Sequence, residues 1–116
     1  MANSTNPLQE QIRALRNKYA AQLPDKISAI EAEWSTLEKN SWNPEDLTRL
    51  QRLVHTLAGS GATFGLSDVS HAAREMEIAL TTPRFANAQP SAAARAHILQ
   101  SLDALKRAAV EARVSD

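Results

Sequence analysis

Apolar residues recur at steps of three and four along most of this chain, and that spacing constrains its fold more than any other feature. Two such sets, each forming one face of a helix, are Leu8, Ile12, Leu15 and Tyr19, and Ile27, Ile30, Trp34 and Leu37. No segment alternates apolar and polar residues as a half-buried strand does, and the 116 residues include only three glycines. The sequence therefore predicts an all-α protein.

Start and stop signals divide the periodic stretches into separate helices. A junction is predicted at Leu23-Pro24-Asp25, and the second helix is expected to end near Asn40-Ser41. Asn43-Pro44 combines a capping side chain with a proline at the first helical position, and Gly65 can adopt the left-handed conformation that closes a helix. The third helix is therefore predicted to run from Asn43 to about Phe64.

The last two helices are recognised in the same way. Ser67 and Ser91 are placed to cap them, and Thr82-Pro83 is predicted to end the fourth helix before a polar loop over residues 84–90. The residues predicted to face inward are Val69, Ala72, Ala73, Met76 and Leu80 in the fourth helix, and Ile98, Leu102, Leu105 and Ala109 in the fifth.

Connections this short favour antiparallel neighbours in space. We therefore expect helices two to five to form an up-down antiparallel four-helix bundle, with the first helix packed alongside as a cover. One domain over residues 7–113 accounts for the chain, between a flexible leader over residues 1–6 and a frayed tail over residues 114–116. The hydrophobic content of 43% suits such a globular domain.

The balance of charges and residue types argues against several functions. With 13 basic and 13 acidic residues, the chain lacks the positive charge of a protein that binds nucleic acid or an anionic membrane. It has no cysteine, and no apolar run approaches the roughly 18 residues of a membrane span. His71 and His97 lack partner ligands at a suitable spacing, so no metal site is expected. We expect a cytoplasmic protein and, since no large apolar face is left over, a monomer.

His55 points away from the predicted core. On a helical wheel the apolar residues of the third helix fall within an arc of about 120°, and His55 lies about 140° from its centre. These apolar residues are Leu47, Leu50, Leu53, Val54, Leu57 and Phe64. An exposed imidazole is therefore predicted, with a surface around it that a partner protein could contact. The neighbours assigned to that docking surface are Thr48, Gln51, Ala58, Gly59 and Ala62.

Two glycines follow His55 within the same helix, at a cost of about 1 kcal/mol each relative to alanine. Gly59 does not face inward on the wheel, so we favour the interpretation that it lets a partner's backbone approach the ring. Gly61 faces inward and fits either a close helix crossing or the same docking role.

The segment His55-Thr56-Leu57-Ala58-Gly59-Ser60-Gly61-Ala62-Thr63-Phe64-Gly65-Leu66 resembles the signature of histidine phosphotransfer domains. In that family the histidine is followed by lysine at the third position after it and by glycine at the fourth and tenth. The histidine and both glycines match, whereas Ala58 stands where the family has lysine. The family's lysine is thought to balance the phosphoryl charge, and Arg52, one turn before His55, is a candidate to supply that cation instead. The alternative is that Arg52 belongs to an ordinary solvated face.

The resemblance implies a phosphocarrier that is not itself an enzyme. One nitrogen of a neutral imidazole can attack an aspartyl phosphate on the receiver domain of a response regulator or of a hybrid histidine kinase. The receiver would supply Mg²⁺, so the chain needs no cofactor of its own. It has no glycine-rich nucleotide loop and is not expected to use ATP unaided.

Glu77 is the predicted partner of the His55 ring. It lies 12 residues after Gly65, whereas His55 lies 10 residues before it. At about 1.5 Å per residue the two reach similar heights on antiparallel helices. The family often has glutamine or glutamate at this spacing. The alternative is that Glu77 is an ordinary exposed glutamate.

Two other functions remain open from the sequence. One is a binding module of the same fold that sequesters a receiver domain without accepting a phosphoryl group, which the loss of lysine at Ala58 motivates. The other is a helical interaction protein unrelated to signalling, although that reading leaves Gly59 unexplained. No acid, base and oxyanion site come together in the sequence, so an enzyme is the least favoured.

Overall fold

The computed structural model of the protein describes residues 6–81 and 90–114, and every secondary-structure element in that part is a helix. The five helices are α1 (Pro7–Ala21), α2 (Leu23–Lys39), α3 (Pro44–Thr63), α4 (Ser67–Thr81) and α5 (Ala92–Val114). The prediction of an all-α protein is therefore confirmed for these residues. The expectations for the leader before Asn6, for the end of α4 and the loop as far as residue 89, and for residues 115–116 lie outside the described residues.

Local capping explains where α3 and α5 begin. The side-chain oxygen of Asn43 accepts a hydrogen bond of 2.8 Å from the Glu45 amide, and the Ser91 hydroxyl accepts one of 3.1 Å from the Ala94 amide. Gly65 has a φ of +75°, as predicted for the residue that closes α3. These caps fix the lengths of the helices and so the heights at which their side chains can meet.

Polar pairs show how α2 lies relative to α3 and to α5. Between α2 and α3, Asn40 pairs with Asp46, and Glu33 pairs with Arg49. Between α2 and α5, Glu31 pairs with Lys106 at 2.9 Å, and Glu38 pairs with Arg95. In both cases the numbers rise along one helix as they fall along the other, so these helices are antiparallel.

The core lies between α2, α3, α4 and α5. The predicted inward faces of α2 and α5 are fully buried, and those of α3 and α4 are buried or half-buried. Trp34 and Trp42 meet edge to face, with ring centroids 5.5 Å apart, where α2 turns into α3. Periodicity alone therefore identifies the core faces of these four helices.

The first helix does not cover the bundle as predicted. Leu8, Ile12 and Leu15 are 61%, 55% and 54% exposed, and only the C-terminal end of α1 is buried, at Tyr19 and Ala20. The single residue Gln22 joins α1 to α2, which is too short to reverse the chain and lay α1 along α2. The apolar stripe of α1 is thus an exposed face. The expectation of a monomer, which depended on the absence of a large exposed apolar face, therefore loses its basis.

Candidate functional site

The site is built on α3, whose spacing directs His55 outward. The side chain of His55 is 74% exposed, as its position on the helical wheel indicated. Four of its helical neighbours are exposed as well, namely Thr48, Arg52, Gly59 and Ala62. The imidazole therefore stands on an accessible face, with small side chains in the turns that follow it.

Glu77 on α4 is the residue that meets the ring. Its Oε2 lies 2.6 Å from Nδ1 of His55. The turn at Gly65 joins α3 to α4, and His55 and Glu77 lie nearly equal numbers of residues before and after it. This register of the two helices brings the side chains together. The sequence placed these side chains at similar heights, and the structure brings them together.

This contact leaves one ring nitrogen available. An ionised carboxylate only accepts hydrogen bonds, so the bond to Glu77 places the proton of a neutral His55 ring on Nδ1. Nε2 then keeps its lone pair, on a side chain that is largely exposed. An imidazole held in this tautomer is a suitable nucleophile.

Gly61 marks a close crossing of α3 and α4. A Cβ added to Gly61 would lie 3.1 Å from the backbone nitrogen of Ser70 and 3.3 Å from its Cα. A Cβ added to Gly59 would have no neighbour within 4 Å. Of the two roles considered for Gly61, the structure therefore supports the helix crossing, whereas Gly59 opens onto free surface.

Ala58 does not belong to the exposed surface, contrary to the prediction. Its residue exposure is only 2%, because α4 passes close to α3 at this point. The hydroxyl of Ser70 donates a hydrogen bond of 2.7 Å to the Ala58 carbonyl oxygen. The position that carries lysine in the family signature is here part of the packed seam between α3 and α4.

Gln51, also assigned to the docking surface, is half-buried and lies against the end of α4. Its Nε2 donates to the carbonyl oxygen of Leu80 at 3.4 Å. Gln51 thus ties α3 to α4 one turn before His55, and only part of it faces the partner side.

A cavity of about 370 Å³ lies on the other side of α3, toward α2. Its lining is Tyr19, Asp25, Lys26, Ala29, Ile30, Arg52, Leu53, Thr56 and Leu57. Arg52 and Thr56 border both this cavity and the surface around His55, and within the described residues Arg52 forms no ion pair. Sequence reasoning missed this cavity, because the wheel shows which residues share an edge of α3 but not whether α2 fills the space beside them.

The other two histidines lie on other helices than His55. His71 on α4 and His97 on α5 are both exposed. Among residues 6–81 and 90–114, no group of three or more His, Cys, Asp or Glu side chains could hold a metal ion. Over the same residues, no helix combines the length and apolarity that a membrane span requires.

The two glycines are expected to respond oppositely to alanine. Gly59→Ala should raise the free energy of unfolding by roughly 0.5–1 kcal/mol, since alanine is the better helix former and the space is open. Gly61→Ala should lower it by about 1–2 kcal/mol despite the same gain, because backbone and Cβ atoms of α4 would have to move. Urea unfolding of the two variants beside the wild type measures this. Equal shifts of the same sign would contradict the assignment of the crossing.

Comparison with protein-family models gives one result that covers most of the chain. The model described as Hpt domain matches residues 10–108. No match was found among curated proteins or solved structures. The matched region contains α2, α3 and α4 entire, with the His55 and Glu77 pair, and most of α1 and α5. The chain belongs to the Hpt domain family, whose members have a phosphotransfer role in two-component signalling.

Proposed function

We propose that this protein accepts a phosphoryl group on Nε2 of His55 and relays it between receiver domains of response regulators in a two-component phosphorelay. The observation that carries the proposal is the imidazole of His55, whose side chain is 74% exposed and whose Nδ1 is held 2.6 Å from Glu77. An exposed ring held in one tautomer suits a nucleophile that must meet another protein's active site.

The transfer is a displacement at phosphorus in which the protein supplies only the acceptor. The Nε2 lone pair forms the new P–N bond as the P–O bond to the receiver's aspartate breaks, and the aspartate leaves as a carboxylate. Nδ1 keeps its proton, and Glu77 stabilises the positive charge that develops on the ring. The reverse displacement by a second receiver's aspartate restores the neutral imidazole.

The surface around the ring suits a receiver domain that must come close. The exposed residues beside His55 are small, namely Thr48, Gly59 and Ala62. They leave room for the backbone of a partner to approach the ring. The cavity between α2 and α3 adjoins this surface through Arg52 and Thr56. Its apolar residues offer the partner a place to bury an apolar side chain near the phosphoryl group. Mg²⁺ and further cations would come from the receiver or from the receiver domain of a hybrid kinase.

Arg52 is proposed as the cation that takes over from the absent lysine, since Ala58 is buried and Arg52 is exposed one turn from His55. Arg52→Ala should lower the rate of transfer at saturating receiver by about fivefold, the equivalent of losing ~1 kcal/mol of charge stabilisation. Arg13→Ala, which removes an exposed arginine on α1, is the matched control. Equal transfer rates for the two variants would assign Arg52 to an ordinary solvated face.

The proposed function is tested by incubating the protein with a panel of phosphorylated receiver domains and Mg²⁺. We expect acid-labile, base-stable label on the chain with at least one receiver. Calorimetric titration with each unphosphorylated receiver gives the binding independently. Complex formation without label across the panel would contradict phosphotransfer and favour the binding module that sequesters a receiver, for which the loss of lysine at position 58 is the supporting observation.

A further inference from the structure

Ser70 uses its hydroxyl differently from four other hydroxyl residues in these helices. Thr48, Thr63, Thr81 and Ser101 each donate to the carbonyl oxygen four residues earlier in their own helix. Ser70 donates instead across to α3, to the carbonyl oxygen of Ala58 at 2.7 Å, and this bond is buried. The Ser70 hydroxyl therefore connects two helices.

The connection lies beside the proposed phosphoacceptor. Ala58 comes three residues after His55, about 4.5 Å along the axis of α3. Ser70 comes seven residues before Glu77, which places the two on the same face of α4. The backbone of Ser70 is also the part of α4 that Gly61 approaches. One residue thus contacts α3 at two points within two turns of His55.

A small slip between the helices would weaken the contact between His55 and Glu77. Sliding α4 by one residue along α3 moves its side chains by about 1.5 Å. Because the 2.6 Å contact between Nδ1 and Oε2 runs from one helix to the other, such a slide would lengthen it to about 3.0 Å and bend the hydrogen bond away from its best angle. The hydrogen bond between Ser70 and Ala58 is directional, so it resists such a slip. Apolar contacts between small residues have no preferred direction and resist it less.

We propose that Ser70 is a positioning residue for the phosphoacceptor: its bond to the Ala58 carbonyl sets the register of α4 on α3 and so keeps Glu77 on Nδ1 of His55. This role rests on the proposed function, because the contact between His55 and Glu77 matters only if His55 accepts the phosphoryl group. The effect of Ser70 on the register of the two helices does not depend on that function. Ala58 then has a structural role as well, because its small side chain, buried between α3 and α4, lets the two helices come close.

Ser70→Ala and Ser101→Ala form a matched pair. Both serines are buried to the same extent, 7% exposed, and both lose one hydrogen bond, but the Ser101 bond stays within α5. The populations of the two His55 ring tautomers are measured by ¹⁵N NMR on unphosphorylated protein, and the transfer rate and receiver affinity are measured with a phosphorylated receiver. Melting temperatures check that both variants fold. If Ser70→Ala does not fold, Ser70→Cys, which keeps the size but donates weakly, takes its place.

In Ser70→Ala we expect the form protonated on Nδ1 to lose population to the other tautomer, and the transfer rate at saturating receiver to fall about tenfold with unchanged receiver affinity. Ser101→Ala should retain the wild-type tautomers and rate. Identical tautomer populations in the two variants would overturn the positioning role. The NMR measurement needs no phosphoryl donor, so a wild type that accepts no label would refute the proposed function while leaving this geometric test intact.

Discussion

Replacing His55 by glutamine is expected to abolish phosphoryl acceptance completely. Glutamine keeps a polar side chain of similar length, but its amide nitrogen has no free lone pair with which to attack phosphorus. His55 is 74% exposed, so the free energy of unfolding should change by no more than about 0.5 kcal/mol. The measurement is transfer of label from a phosphorylated receiver, with unfolding curves showing that the variant is folded.

His71→Gln and His97→Gln are the controls for that experiment. Both histidines are exposed on other helices, so both variants should accept label at the wild-type rate. Label that persists on His55→Gln, or that disappears from either control, would assign the acceptor to another residue. The pattern across the three histidines therefore tests the site rather than the presence of histidine in general.

Removal of the Glu77 carboxylate should slow transfer without preventing it. In Glu77→Ala the ring loses the acceptor that holds the proton on Nδ1 and that stabilises the charge on the phosphorylated imidazole. We expect a fall of about tenfold to a hundredfold in the rate of label acceptance. Glu77→Gln should lie between this variant and the wild type, because an amide oxygen still accepts from Nδ1 but carries no charge.

Glu75→Ala is the matched control for Glu77. Glu75 lies two residues away on α4, is exposed, and forms no ion pair within the described residues. Its loss removes the same charge from the same helix without touching the ring. If Glu77→Ala and Glu75→Ala accept label equally fast, Glu77 is an ordinary glutamate on the surface of the bundle.

The features that sequence predicted best depend on local geometry. The start of α3 at Asn43-Pro44 and its end before Gly65 are encoded by residues that satisfy or close the helix backbone directly. The outward direction of His55 and its height beside Glu77 follow from the turn angle and rise of a regular helix. Nothing outside α3, α4 and the turn between them is needed to predict that contact.

The features that sequence predicted poorly depend on how closely helices approach. On the wheel Ala58 lies beside His55, but it is buried because Gly61 lets α4 come within contact distance of α3. The stripe of α1 repeats as regularly as the buried faces do, yet Leu8, Ile12 and Leu15 remain exposed. Periodicity states which residues share a face but not whether another helix reaches that face. For α1, the single-residue link at Gln22 keeps the helix from folding back along α2, so its stripe stays exposed.

Identifying the phosphorylated atom would test directly whether His55 is the phosphoacceptor. ¹⁵N-labelled protein would be phosphorylated by a receiver domain, and the coupling of ³¹P to the ring nitrogens of His55 would be measured by NMR. We expect a phosphoryl group on Nε2 of His55, with Nδ1 still protonated against Glu77. Phosphorylation at Nδ1, or at any residue other than His55, would contradict this expectation.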